Sequence, residues 1–198
     1  MRESGIYQMY LKNLLDRLLA LVGTAALSWL LILLGIAIHL DSPGPIFFRQ
    51  KRAGKNGTYF YIYKFRTMRI DTPHDMPTHM LNNPDLFITR VGRFLRKTWL
   101  DELPMLINWM KGDLKLVGVR PLSSHYFSLY SEELRALRIR TKPGLIPPFY
   151  ADMPGTLDEI QESERRYLEQ YLRSPFLTDW RYFWKAFRNI VFREKRSR

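Results

Sequence analysis

The chain has 198 residues, enough for one domain with its own core, and 31 Lys plus Arg against 19 Asp plus Glu leave a formal charge of +12 at pH 7. That balance draws the protein to something anionic, whether phosphate, nucleic acid or lipid headgroups. With no cysteine, disulfides, thiolate zinc sites and cysteine nucleophiles are excluded.

Residues 18–38, LLALVGTAALSWLLILLGIAI, carry no charge over 21 positions, and as a helix would be about 31 Å long, enough for a bilayer core. They are expected to be a membrane segment. A signal peptide has a shorter apolar region, about 7 to 15 residues, and a small-x-small cleavage site, which does not follow here. A core helix of a soluble domain would show a polar stripe. Lys12 and Arg17 precede the segment, and Arg49, Lys51, Arg52 and Lys55 follow it. Positive charge on both flanks selects no orientation. A re-entrant helix, entering and leaving by one face, would account for both flanks, with Gly23, Ser28 and Gly35 as places for a bend. A straight span is the commoner arrangement and is what the residues alone favour.

The stretch SPGPIFFRQKRAGKNGTYFYIYKFRTM predicts a hairpin: an extended run near 46–52, a turn holding Asn56-Gly57, and a second run over 58–68. Strict alternation in the second run puts Tyr59, Tyr61, Tyr63 and Phe65 on one face and Phe60, Ile62, Lys64 and Arg66 on the other. Lys64 and Arg66 then form a cationic pair suited to phosphate, or simply a charged sheet edge. Residues 70–89 hold three prolines and several turn formers, which predicts a mobile connecting loop or lid. His74, Asp75 and His79 within it match no established metal spacing.

In KTWLDELPML, Asp101 and Glu102 stand beside Pro104, which is tolerated in the first turn of a helix. A helix through 105–110 should therefore start close to Leu103 with the two acids at its positive end. Thr98 with Asp101 can also be taken as a capping box, which would start the helix one turn earlier. Alone, the pair would be ordinary capping. It is surrounded, however, by Arg90, Arg93, Arg96 and Lys97, then by Lys111, Asp113, Lys115 and Arg120 among glycines that would let backbone approach a ligand. Acids among many cations beside a membrane suit chemistry on a phosphate ester, in which cations hold phosphoryl oxygens and a carboxylate attacks phosphorus or holds Mg²⁺.

Near the C-terminus, LDEIQESERRYLEQYL predicts a solvated structural helix. In FLTDWRYFWKAFRNIVFREKR, residues Phe176, Trp180, Phe183, Trp184, Phe187 and Val191 recur at helical spacing, with Arg181, Lys185 and Arg188 elsewhere on the wheel. The stripe fits an interfacial helix, and a core-facing helix explains it equally well; the aromatics and the basic end favour the membrane.

The segments SPGPIFFRQKRAGKNG, YKFRTM, RVGRFLRKTWLDELPMLINWMKGDLKLVGVRPL and KPG at Lys142–Gly144 together resemble the bacterial sugar transferases, the monotopic phosphoglycosyl transferases. The resemblance implies transfer of a sugar-1-phosphate from a UDP-sugar to undecaprenyl phosphate with Mg²⁺, through a covalent aspartyl intermediate. Carried over, Asp101 is the nucleophile, Glu102 its partner in metal binding or proton handling, and Arg96 and Arg120 hold phosphate. Lys64, Arg66, Asp113 and Lys142 complete the candidate substrate-binding set, and Asp101 and Glu102 the candidate metal ligands. The family's apolar helix is re-entrant. Departures from its pattern are Ser28-Trp29 where a Ser-Pro bend is usual, Val119 within Gly118–Pro121, Lys142 for an arginine, and LIPPFYADMPG in place of a Gly-Trp-x-Gln-Val segment.

The expectation is a mainly helical α+β enzyme with a re-entrant helix in residues 1–41 and a membrane-associated catalytic domain in residues 42–198. It would carry a small hairpin and interfacial amphipathic helices, and lie on the cytoplasmic face of the bacterial inner membrane. Its partners would be a UDP-sugar, undecaprenyl phosphate and membrane lipids; a homodimer is compatible with this reading. A catalytically silent membrane-surface module is the alternative. Nucleic acid is disfavoured by the apolar run.

Overall fold

The computed structural model describes residues 3–72 and 83–192, and the chain in it is mainly helical with two small two-stranded sheets. This is the expected α+β class. His74, Asp75, His79 and half of the expected loop lie outside the described residues, as do the last six residues with their cations.

Helix α1 (Glu3–Asp41) is one uninterrupted helix of 39 residues, about 58 Å long at 1.5 Å per residue. Its stretch Leu11–Asp41 is long and apolar enough to cross a membrane. Leu18, Val22, Trp29, Ile32, Leu33 and Ile36 are all exposed, an arrangement that water penalises and lipid does not. None of the three candidate bend positions interrupts the helix. Ser28 Oγ donates to the Ala25 carbonyl at 2.8 Å, and Gly35 lets Ile46 pack closely, since a Cβ there would lie 3.5 Å from Ile46 Cγ2.

The hairpin forms as expected, from β1 (Phe47–Ala53) and β2 (Tyr59–Phe65). Its turn places Asn56 at φ 57° and Gly57 at φ 72°, conformations that suit these two residues. Strict alternation fails in β2: Ile62 and Phe65, which alternation puts on opposite faces, are both buried.

The chain divides into two compact units, one of residues 21–50 and 62–108, the other of 1–20, 51–61 and 109–198. In the first, Ile38, Phe65 and Leu95 are buried under Leu31, Leu34, Ile46, Val91, Leu100 and Leu103. Full burial of such side chains contributes about 1.5–3 kcal/mol each. Leu95 belongs to α2 (Arg90–Thr98), and the next helix is α3 (Met105–Lys111).

The second unit contains β3 (Lys115–Val117), α4 (Ser124–Ser128), α5 (Glu132–Arg138), β4 (Gly144–Ile146), α6 (Phe149–Asp152), α7 (Leu157–Arg173) and α8 (Pro175–Phe192). β3 and β4 pair in parallel, with Lys115 opposite Gly144 and Val117 opposite Ile146. The glycines here serve packing rather than a ligand: a Cβ on Gly144 would lie 2.1 Å from the Gly118 nitrogen.

α7 is not the solvated helix its composition predicts. Ser163, Glu164, Tyr167 and Leu168 are buried, and Glu164 forms an ion pair with the buried Arg138. A charge-rich sequence hides such a face because its buried acid has a buried cation for a partner. In α8 most of the aromatic stripe points outward, with Phe176, Trp180, Trp184, Phe187 and Val191 exposed, while Thr178, Asp179, Tyr182, Ala186 and Asn189 turn into the core. Phe183, the remaining aromatic of the stripe, is partly buried against the core, so the stripe is mainly but not wholly outward. The outward face is what an interfacial helix requires.

Candidate active site

The acid pair sits on a short connection whose two ends are pinned. Thr89 caps α2 by accepting a hydrogen bond from the Gly92 amide at 2.9 Å. The Val91 amide donates to Asp41 Oδ2 at 2.9 Å, so the last residue of α1 also serves the start of α2. Gly92 lies against residue 67 so closely that a Cβ would come within 2.1 Å of the Thr67 carbonyl oxygen; only glycine permits this approach.

α2 ends at Thr98, and Trp99 follows in the left-handed region at φ 60°. For a bulky residue this conformation is uncommon and costs on the order of 1–3 kcal/mol. Leu100–Glu102 then make a single 3-10 turn. Leu103 opens the next helical turn, its carbonyl accepting from the Leu106 amide at 3.0 Å, and the Pro104 carbonyl accepts from Ile107 at 3.0 Å. Helical turns thus open at Leu103 and Pro104 and lead into α3 at Met105, close to the expected start. The capping-box alternative is excluded, because Thr98 closes α2, its hydroxyl donating to the Phe94 carbonyl at 2.8 Å. Asp101 and Glu102 therefore stand in the turn between two helices.

Of the candidate substrate-binding cations, Lys64, Arg66 and Arg96 lie in the same unit, and two of them act on the acids. Lys64, on β2, donates to Glu102 Oε1 at 2.7 Å. Arg96, on α2, donates through Nε to Thr67 Oγ1 at 2.8 Å, and the charge of Asp101 acts on it. Burial pushes the Asp101 carboxyl above the usual carboxylate range; Lys64 and Arg96 oppose that shift while neighbouring Glu102 adds to it. Arg66 is used otherwise. Its guanidinium is buried and donates to the carbonyls of Ser42 and Pro43 at 2.6 Å each, clamping the exit of α1 instead of pairing with Lys64. Strand alternation does not extend to Arg66, because β2 ends at Phe65.

Asp113, Arg120 and Lys142 belong to the other unit. The Arg120 guanidinium lies 5.9 Å from the Phe149 ring centre, and its carbonyl accepts from Arg138 Nη2 at 2.5 Å. Lys142 lies beside Gly112 with Arg17, and Asp113 is among the groups acting on its charge. Lys115, expected among the charges around the acid pair, is buried elsewhere: its amine donates to the Tyr167 hydroxyl at 2.7 Å and lies 3.5 Å from Asp179 Oδ1. Among the described residues, no group of three or more His, Asp or Glu is placed to hold a metal by itself.

Chemically, a desolvated carboxylate held near two cations is a nucleophile whose charge is partly balanced, in a place where a phosphate would be drawn by the same cations. Asn108 fixes the strand that carries Lys64, its buried Oδ1 accepting from the Tyr63 amide at 2.9 Å. No spacing rule marks Asn108 or Thr67 as supporting residues; both act through contacts distant in sequence.

Residues 7–193 match the model of the bacterial sugar transferase family. The UDP-glucose:undecaprenyl-phosphate glucose-1-phosphate transferases of Xanthomonas campestris pv. campestris and Caulobacter vibrioides are 35% identical over 151 residues and 43% identical over 138 residues, covering 73% and 68% of this chain. The UDP-N-acetylgalactosamine-undecaprenyl-phosphate N-acetylgalactosaminephosphotransferase of Aeromonas hydrophila is 35% identical over 144 residues, 72% of this chain. The chain spans 31%, 51% and 34% of the lengths of these three proteins. A match that runs nearly end to end and takes in the acid pair with its cations makes this chain a member of the bacterial sugar transferase family.

Proposed function

We propose that the protein transfers a sugar-1-phosphate from a UDP-sugar to undecaprenyl phosphate at the cytoplasmic face of the bacterial inner membrane, through a covalent intermediate on Asp101. The observation that carries the reading is the desolvated Asp101 carboxylate next to Glu102, with Lys64 and Arg96 acting on its charge. The names of the relatives support the donor and acceptor classes, and they differ in the sugar.

In the first displacement an Asp101 oxygen attacks the phosphorus that bears the sugar. The bond from that phosphorus to the bridging oxygen breaks, and its electron pair leaves with UMP. In the second, a phosphate oxygen of undecaprenyl phosphate attacks the same phosphorus, and Asp101 departs as a carboxylate. Burial raises the ground-state energy of the Asp101 anion, which favours attack. Lys64 holds Glu102 in place, and Arg96, fixed by Thr67, presents a planar guanidinium suited to phosphoryl oxygens. Two adjacent carboxylates, one desolvated by burial, are hard oxygen donors that fit Mg²⁺. Bound by Asp101 and Glu102 together with substrate phosphate, the ion would neutralise charge on the phosphoryl oxygens.

The exposed apolar face of α1 and the outward aromatics of α8 support a membrane-associated enzyme. The test is incubation of the purified protein in detergent with UDP-sugars, Mg²⁺ and undecaprenyl phosphate. UMP release that depends on Asp101 supports the transferase. A folded protein that releases no UMP with any donor would leave the silent membrane-surface module as the better reading.

A further inference from the structure

Gly112 follows α3 at φ +81°, and two cations from distant parts of the chain converge over it. A Cβ at Gly112 would lie 3.4 Å from Lys142 Nζ and 3.5 Å from Arg17 Nη2, so the two nitrogens are no farther apart than the sum of those distances. The convergence is built in by the fold. Lys142 stands two residues before β4, and Arg17 comes from the first half of α1. The hairpin turn carrying Lys55 is tied to the chain just before Lys142, the Asn56 amide donating to the Ile139 carbonyl at 2.7 Å.

Positive charge is not balanced here. Burial first, then the charges of Arg17 and Lys55, push the Lys142 amine below its usual range, and Asp16 and Asp113 offset them less. Asp16, the acid next to Arg17, is itself taken by Lys12 at 2.8 Å. Like charges gathered from three chain segments favour an anion, and a phosphate oxygen group fits between an ammonium and a guanidinium fork.

The position of Arg17 identifies the source of that phosphate. It immediately precedes the 21-residue uncharged run 18–38, which puts its guanidinium at headgroup depth when the run is in the bilayer. The same unit exposes Trp180 and Trp184 on α8, side chains that favour the headgroup region.

We propose that Arg17 and Lys142, which meet over Gly112, together with Lys55 on the hairpin turn tied to the chain just before Lys142, form a receptor for the phosphate of an anionic membrane phospholipid. Its occupancy would hold the first half of α1 and the hairpin turn at the membrane surface, whatever donor sugar the enzyme uses.

The test is native mass spectrometry of the full chain in neutral detergent, titrated with phosphatidylglycerol or with phosphatidylcholine. One phosphatidylglycerol should be retained in preference to phosphatidylcholine. Arg17→Gln and Lys55→Gln should each weaken retention about five-fold, as expected for loss of one interfacial cation, while Arg17→Lys should keep most of it. Far-UV circular dichroism establishes that the variants are folded, and Lys55→Gln, in an exposed turn, carries the test if Arg17→Gln does not fold. Equal retention of both lipids, or retention untouched by these variants, would overturn the proposal. Displacement of the lipid by millimolar inorganic phosphate or by a UDP-sugar would also overturn it, because it would assign the cluster to a soluble phosphate.

Discussion

Lys64 Nζ lies 2.7 Å from Glu102 Oε1, joining the end of β2 to the turn that carries both acids. Its charge also works on Asp101, where it is the largest influence opposing the upward push of burial. Replacing Lys64 with Gln removes that opposition, so the Asp101 carboxyl should titrate at higher pH. The acid limb of the pH profile for kcat/KM should move upward, with a loss of rate at neutral pH. An unmoved acid limb with reduced rate would make Lys64 a phosphate contact only.

Asp101→Asn should abolish both turnover and the phospho-sugar adduct that the wild type forms with UDP-sugar and Mg²⁺ in the absence of acceptor. Intact-protein mass measures the adduct. The same variant should be more thermostable at neutral pH. The sign follows from linkage: a carboxyl raised by burial makes its full contribution when protonated, below its unfolded pKa, and loses it as pH rises through the folded value. The gain in Tm should therefore be largest near pH 7 and vanish in acid. A folded variant that still forms the adduct would return the pair to a capping role.

Lys115 offers a second pH signature, away from the acid pair. Burial pulls its amine from 10.5 down to about 7, although Asp179 works in the other direction. Between those values the unfolded chain holds a proton that the folded protein has shed, so stability rises with pH from about 7 towards 10. Lys115→Met should flatten that rise when Tm is followed in detergent at pH 7, 8 and 9. An identical slope in both proteins would show that the buried amine is not the group responsible.

Topology is tested by labelling. The chain has no cysteine, so Ser4→Cys and Thr58→Cys each introduce a single thiol. For a re-entrant helix both should react with a membrane-impermeant maleimide only from the cytoplasmic side. Periplasmic labelling of position 4 alone would make α1 a span.

How much of this was legible beforehand depended on whether the information was local. The uncharged run of 18–38, the Asn56-Gly57 turn and the helix start close to Leu103 and Pro104 are short-range signals, written by backbone preference and hydrophobic length. The acid pair and its motif were equally plain, since chemistry demanded those residue types next to one another. What the sequence could not decide was which cation meets which acid. Lys64 reaches Glu102 across 38 positions, while Arg66, two residues later, is turned to the Ser42 and Pro43 carbonyls. Likewise Gly118 looked like a ligand-facing glycine and is an inter-strand contact with Gly144, and Lys115, counted among the charges around the acid pair, is buried on Tyr167. In each case tertiary packing chose the partner. Composition specifies how much charge and apolar surface the chain carries, whereas burial and long-range contact decide which charges are desolvated, and desolvation sets the reactivity of Asp101.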